Sequence, residues 1–245
     1  MPTSQGGNGR AAGARRRPLT RREVVTAALA LVDAEGVDAL TMRRLAERIG
    51  VYPTALYWHA GNKASLLAAV CELAHSDMEL PPVVGGPPWH EWLRSMGHAA
   101  RAMLHKHPNI APVLASQLQV TTSSFPLSES VLAVLHGAGF ERERLTGAYN
   151  TVIGFVFGWL FGELASEPPE ADEDWTSGFE RKLRDIDSDT APTLAANLPV
   201  LANQAFMLRW ESGRRRPMDR SFEMALDVLV AGLAAQVGHE QAVGG

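Results

Sequence analysis

Leu40-Thr41-Met42-Arg43-Arg44-Leu45-Ala46-Glu47-Arg48-Ile49-Gly50-Val51-Tyr52-Pro53-Thr54-Ala55-Leu56-Tyr57-Trp58-His59, followed by Ala60-Gly61-Asn62-Lys63-Ala64-Ser65-Leu66-Leu67, reads as two short helices joined by a tight turn, with a third starting at once. Thr41 is placed as an N-cap, its hydroxyl accepting a free N–H of the first turn. Leu45, Ala46 and Ile49 recur at helical spacing, and Ala46 is small enough to let a second helix approach. Gly50 stands where the first helix must stop and tolerates the left-handed backbone such a stop needs. Val51 fills the angle between the helices. Pro53 suits the first turn of the second helix, where its missing N–H has no partner to lose. Leu56 returns to the core, which leaves Tyr52, Thr54, Ala55, Tyr57 and His59 facing outward.

The outward set has the chemistry of a DNA contact. A helix-turn-helix lays its second helix in the major groove. Arg43 can offer a two-toothed fork to guanine O6 and N7, and Ala55 with the Thr54 methyl can touch a thymine methyl. Tyr57, His59 and Lys63 suit phosphate oxygens, which position a protein without reading sequence. Asn62 reads as the N-cap of the next helix, whose N-terminus also favours a phosphate.

Upstream, Thr20 and Glu23 form a capping box, with Leu19 and Val24 placed as a hydrophobic staple. Val24, Val25, Ala28, Leu31 and Val32 make one apolar face, and Gly36 ends that helix. Three helices should pack around Leu29, Val32, Leu45, Ile49 and Leu56. Residues 1–18 are Gly- and Arg-rich without an apolar centre, which is no signal peptide. They are expected to be a disordered basic tail, with Arg10, Arg15, Arg16 and Arg17 able to reach phosphates or the minor groove.

The net charge of −4 hides a division. Residues 1–75 hold 10 Lys and Arg against 6 Asp and Glu, and the remainder holds 13 against 21. A basic end on an acidic body is the footprint of a nucleic-acid-binding head joined to another domain. Cys71 is the single cysteine, so no intrachain disulfide can form and a reducing compartment fits. It falls on an apolar helix face, where packing explains it. No His/Cys cluster has structural-zinc spacing. No nucleophile–base pair or phosphate loop of an enzyme stands out, and neither metal nor cofactor is expected.

Downstream, the helix opened by Asn62 is predicted to run to about Met78, and the proline-rich run Pro81–Pro88 marks the domain boundary, giving domains 19–80 and 81–245. Helices are predicted over Trp89–His105, Ala111–Gln119, Pro126–Gly137, Glu141–Glu167, Leu198–Trp210 and Arg220–Val237, with a short one around Trp175–Leu183. Glu141–Glu167 should be the longest. It is uncharged from Leu145 to Gly162 and carries Gly154, Gly158 and Gly162 at four-residue spacing. A membrane span with a small-residue packing face is one reading. Tyr149, Asn150 and Thr151 within it favour the other, a helix buried on nearly all sides.

The stretch Leu40-Thr41-x-Arg43-x-Leu45-Ala46-x-x-x-Gly50-Val51, with Leu56-Tyr57-Trp58-His59-x-x-Asn62-Lys63-x-x-Leu66-Leu67, closely resembles the DNA-binding domain of the tetracycline-repressor (TetR) family. A weaker resemblance continues through Trp89-x-x-Trp92-Leu93, His107-Pro108 and Gly139-Phe140 to Phe222-x-x-x-Leu226 and Gly232-Leu233, and points to the C-terminal domain of the tetracycline repressors' own subgroup. The resemblance implies an all-α chain: a three-helix helix-turn-helix domain plus a larger helical ligand-binding and dimerisation domain. It implies a cytoplasmic homodimer that represses transcription at a double-stranded DNA operator and lets go when a small-molecule effector binds. By matching positions, Arg43 would touch a base, Thr54 and Ala55 would lie on the recognition helix, and Met42, Ala55, Tyr57 and Lys63 would meet the DNA backbone. The full candidate DNA set is Thr41, Met42, Arg43, Tyr52, Pro53, Thr54, Ala55, Tyr57, His59 and Lys63.

The chain departs from that subgroup where a magnesium–tetracycline complex is held. Glu79 stands at about the place of a linking-helix histidine, and Ala111-Pro112-Val113-Leu114 puts leucine where the magnesium ligand would be. The expected effector is therefore a different, fairly large hydrophobic or aromatic molecule. Candidate pocket walls are Trp92, Met96, Met103, Phe125, Ile153, Phe157, Phe161, Phe206 and Trp210, with His98, His105, Gln117, Asn150 and Asn203 as polar handles. Gly154, Gly158 and Gly162 with Leu226, Leu229, Val230 and Leu233 are expected at a four-helix dimer interface. A regulator that needs no ligand, or an activator with the same head, stays open.

Overall fold

A computed structural model describes the backbone of residues 19–117, 125–165 and 173–243, and the side chains of 19–115, 125–165 and 175–237. The arginine tail expected at 1–18 lies outside the described residues. Those described form eleven α-helices and no strand.

Four short helices make the head: α1 (Arg21–Glu35), α2 (Met42–Ile49), α3 (Pro53–Ala60) and α4 (Lys63–His75). The local signals read from sequence are all in use. Thr20 and Glu23 close the capping box on α1, and the chain leaves α1 at Gly36 with φ +85°. Thr41 accepts from Arg44 N at 3.1 Å to cap α2. Gly50 ends it in the left-handed region, φ 71° and ψ 40°, its N–H turned back to Ala46 and Glu47. Pro53 opens α3, and Asn62 Oδ1 accepts from Ser65 N at 2.8 Å to start α4. Val24, Ala28, Val32, Leu45, Ala46, Leu56 and Val70 keep none of their surface. At about 25 cal/mol per Å² of apolar surface removed from water, burial of this kind is what holds so small a unit together.

The body contains α5 (Trp89–Lys106), α6 (Ala111–Gln117), α7 (Phe125–Gly137), α8 (Arg142–Glu163), α9 (Glu173–Arg184), α10 (Pro192–Leu201) and α11 (Asp219–Val243). α5, α7, α8 and α11 pack on one another around Leu93, Met96, Ala100, Leu104, Val152, Val156, Leu160, Phe222 and Leu226. Gly97 permits the α5–α11 contact: a Cβ there would lie 2.8 Å from Leu226 Cδ2. α8 is the helix among the described residues long and apolar enough to cross a membrane; its mean hydropathy is 1.2 and 28% of that stretch is buried.

Three helix expectations need correction, the first being that α8 is buried on nearly all sides: only 28% of its apolar stretch is buried. α11, at 25 residues, outruns the 22 of α8. The predicted helix Leu198–Trp210 does not form. α10 stops at Leu201, Asn203 turns the chain at φ +57°, and only a 3₁₀ turn follows at Phe206–Leu208. Pro199 weakens the last turn of α10. Asn203 completes the stop, because its buried side chain accepts from Trp210 N and Glu211 N and donates to Glu211 Oε2.

The head meets the body at a 3₁₀ turn, Pro108–Ile110, directly after α5. Asn109 Nδ2 donates to Val32 O and Asp33 O at 2.9 and 3.0 Å, capping carbonyls at the end of α1. Trp92 Nε1 donates to Pro81 O at 2.9 Å and so fastens the proline-rich connection to α5.

Candidate functional site

α3 presents its outer face whole. Tyr52, Pro53, Thr54, Tyr57 and Trp58 are exposed, with Ala55 and His59 half-buried at its margins. Trp58 is 91% exposed, the extreme for a residue with so much apolar surface to hide. The sequence reading passed over it, although the one-residue step from Tyr57 places the two on adjacent faces of a helix whose inner side is filled by Leu56 and Ala60. An exposed tryptophan beside a tyrosine is a surface that gains from a partner.

Around α3, Arg43 and Lys63 are exposed, Thr41 is exposed but spends its hydroxyl on the α2 cap, and Met42 is half-buried. Arg43 Nε lies 3.1 Å from Glu47 Oε1, an i,i+4 pair with both side chains largely in solvent. Such a pair contributes little and leaves the far edge of the guanidinium open to a base. Arg44 and Arg48 turn the other way, onto Glu35 of α1. Of the ten candidate DNA residues, seven are exposed, and Met42, Ala55 and His59 are half-buried.

Among the described residues, two of the effector candidates line a common cavity. Trp92, Met96 and Met103 keep 1%, 0% and 1% of their surface and belong to the buried core, with Phe157 beside them at 4%; none of the four lines either cavity found among the described residues. Asn203 is spent on its turn. Phe125 and Asn150 are exposed, Ile153 and Phe161 half-buried. The side chain of Gln117 lies outside the described residues. Phe206 stacks edge-on against Trp159 at 4.8 Å, and Trp210 edge-on against Phe179 at 6.0 Å. His98 and His105 do share a cavity, an open one of about 370 Å³ completed by Arg101, Ala102, Pro217 and Asp219. The sequence could not separate these cases, because a large apolar side chain at helical spacing satisfies core and cavity wall alike.

That cavity lies over a buried ion pair which the sequence reading missed. Arg101 of α5 donates from Nη2 to Glu163 Oε1 and from Nε to Glu163 Oε2, at 2.7 and 3.0 Å. Glu163 also accepts from Met218 N at 2.9 Å, and His105 Nε2 is 3.5 Å away. Burial alone would push the Glu163 carboxyl up; His105, the Arg101 guanidinium and the Met218 N–H outweigh it and hold the group at about 2.

The interface candidates divide. Gly154 and Gly158 are exposed, and a Cβ on either would meet nothing within 4 Å. Gly162 is different: a Cβ there would sit 3.1 Å from the Phe206 ring of its own chain. Leu226 keeps none of its surface, and Leu229, Val230 and Leu233 keep little, because the strongest apolar stripe of α11 is taken by its own α5 and α8. What α11 leaves outside is Met224 and Val228, 68% and 59% exposed. Between α8 and α11 runs an open groove of about 530 Å³, with Gly147, Thr151 and Phe155 on one wall and Val228 and Gly232 on the other.

Comparison with known proteins agrees with this architecture at both ends. Residues 24–70 match the family model described as bacterial regulatory proteins, tetR family, and residues 82–237 match the tetracyclin repressor-like C-terminal domain. An HTH-type transcriptional regulator of Saccharopolyspora erythraea is 31% identical over 223 residues, 91% of this chain and 87% of that protein. The class A tetracycline repressor from transposon 1721 in Escherichia coli is 31% identical over 218 residues, 88% of this chain and 91% of that one. Among solved structures, the TetR family protein ActR of Streptomyces coelicolor in complex with actinorhodin superposes with a TM-score of 0.72 at 26% identity, covering 91% of this chain and 100% of its own. With its helix-turn-helix head, its helical body and a match to each half, the chain belongs to the TetR family of bacterial transcriptional regulators.

Proposed function

We propose that this chain is a ligand-responsive repressor that binds a palindromic operator as a homodimer and releases it when a hydrophobic or aromatic small molecule occupies the body. The observation that carries the reading is the exposed outer face of α3, with Tyr52, Thr54, Tyr57 and Trp58 outward on a head whose core is closed behind them. Arg43, Thr54 and Ala55 read base edges. Thr41, Met42, Tyr52, Pro53, Tyr57, Trp58, His59 and Lys63 fit against the backbone. Two heads presented about 34–36 Å apart would enter successive major grooves on one side of the duplex.

The dimer is formed by the exposed glycine face of α8, Gly154 and Gly158, against its copy, with Met224 and Val228 of α11 flanking it. The effector acts by binding better to a state in which α4 is tilted and the heads are mis-spaced. Its entry is the cavity holding His98 and His105; that the related ActR was solved in complex with actinorhodin supports a small-molecule ligand. The protein works in the cytoplasm, where its operator is. A second reading, a regulator that needs no ligand, draws on the closed packing of Trp92, Met96 and Met103.

Selection of bound sequences from a random DNA pool with the purified protein tests the first part. A two-half-site palindrome is expected, and no enrichment at moderate salt would refute it. Titrating candidate ligands against the operator complex separates the two readings.

A further inference from the structure

His107 closes α5 at the junction of body and head and is 5% exposed. Its Nδ1 lies 2.9 Å from Asp33 Oδ2 on α1, and its Nε2 lies 2.9 Å from Asp77 Oδ2, just past α4. Both partners belong to the head. An ionised carboxylate only accepts, and a neutral imidazole has a single N–H. The neutral ring could therefore satisfy one aspartate while turning a lone pair on the other. The imidazolium alone donates to both, so a proton completes this bridge.

The surroundings are sparse in charge. Lys106 Nζ shares Asp77 Oδ2 at 2.6 Å. On the adjoining turn, Asn109 grips the end of α1 and accepts from Arg214 Nη1 at 3.3 Å. α6, packed on the same turn, contains no charged residue. Asp33 Oδ1 is buried without a hydrogen-bond partner, so the Asp33 side chain is held through the oxygen that faces His107. With the ring protonated, two carboxylates face an ammonium and an imidazolium. Without that proton a partly buried negative charge is left unbalanced, which is costly at low dielectric.

We propose that His107, as imidazolium, is the positioning residue that fixes the reading head on the body, so that operator binding tightens as His107 gains its proton. This rests on the operator-reading function proposed above. A loosened head must be ordered again before the second half-site is engaged, which lowers the effective concentration of that head. The sign follows: raising the pH removes the proton, frees one aspartate and weakens binding, and lowering it restores the bridge.

Operator affinity measured by fluorescence anisotropy at constant ionic strength, between about pH 6 and about pH 8.5, tests this in a His59→Asn background that silences the histidine beside the DNA face. The parent protein should weaken on the order of fivefold or more across that range. His107→Gln should bind weakly with little pH dependence. Asp77→Asn should bind tightly with little pH dependence, because the new amide can donate to the Nε2 lone pair of a neutral ring while the exposed Lys106 ammonium, which shared Oδ2, turns into solvent. A residue with a merely structural role would not produce that flat, tight profile. Equal pH slopes in all three proteins would overturn the proposal. Amide exchange in the last turn of α1, corrected for the intrinsic effect of pH, supplies a DNA-free readout. Protection there should fall with rising pH in the parent and stay constant in Asp77→Asn, and pH-independent protection in the parent would overturn the proposal. A protein that enriches no operator yet shows the exchange pattern would sink the operator reading and leave the bridge standing.

Discussion

Arg101 holds Glu163 by two parallel hydrogen bonds, 2.7 and 3.0 Å long, where Glu163 keeps 1% of its surface. The pair joins α5 to the end of α8. The turn before α11 is drawn onto it by the Met218 N–H and by Gly213 N, which donates to Glu163 O at 2.8 Å. A Cβ on Gly213 would come within 2.7 Å of that carbonyl oxygen, so glycine alone fits.

Removing Glu163 leaves the Arg101 guanidinium with only the exposed Asp219, whose Oδ1 lies 2.8 Å from Nη1, and takes away its buried partner. Glu163→Gln is expected to destabilise the fold by about 3–5 kcal/mol near neutral pH, measured by urea unfolding. The Glu163 carboxyl is depressed from its ordinary 4.5 to about 2. Its stabilising contribution is therefore complete above 4.5 and fades as the pH falls toward 2. Between those values the variant should lose less stability per pH unit than the parent; identical slopes would show that the pair does not govern acid sensitivity.

On the DNA side, Arg43→Ala should cost about 1–3 kcal/mol of operator binding and relax the preference at one position of each half-site. Lys63→Ala should weaken all sequences alike and lower the salt slope by about one unit. An unchanged consensus for the first, or a sequence-dependent loss for the second, would reverse the assigned roles. Quantitative binding to a library of single-base operator variants reads out both.

A Cβ on Gly158 meets nothing within 4 Å among the described residues, so Gly158→Leu should leave the protomer folded while splitting the dimer, seen as a halved mass in sedimentation. Gly162→Ala is the contrast, because its Cβ would press on the Phe206 ring at 3.1 Å. That variant should lower the melting temperature without changing the oligomeric state. A Gly158→Leu dimer of parental affinity would move the interface off this face.

Burial pushes the Cys71 thiol up to about 11, and 1% of the residue is exposed. The thiolate, the reactive form, is scarce at neutral pH. A disulfide reagent at about pH 8 should label the denatured chain at once and the native protein at no more than its unfolding rate. Rapid native labelling would return Cys71 to consideration as a sensor.

The head was legible because its signals are local. Thr41, Gly50, Pro53 and Asn62 each act on a backbone group within four residues, so their meaning survives in the sequence. Glu163 and His107 were illegible for the opposite reason, since their partners lie 62 residues away for Arg101 and 74 and 30 away for Asp33 and Asp77. Trp92, Met96 and Met103 are buried, and their sequence positions could not say among what, because hydrophobicity marks removal from water without saying what replaces it. Leu226 failed similarly: an apolar stripe reports the strongest burial, here within the chain. The overlong helix at Leu198–Trp210 failed on a single φ of +57° at Asn203, a conformation asparagine tolerates and does not announce.

α10 contributes no buried residue to the protein, although Leu194, Leu198, Val200 and Leu201 make it apolar, and the turn after it exposes Met207 to 90%. Leu194, Leu198 and Leu201 are only half-buried, so unravelling it costs less apolar contact than opening a core helix, and its opening free energy belongs toward the low end of the range found within a folded chain. Among the described residues, its backbone is then an early target for a protease. Cleavage within 192–201 should run far ahead of global unfolding, and it should slow in any complex that covers this helix. The rate of a single nick thus becomes a clock for whatever binds there.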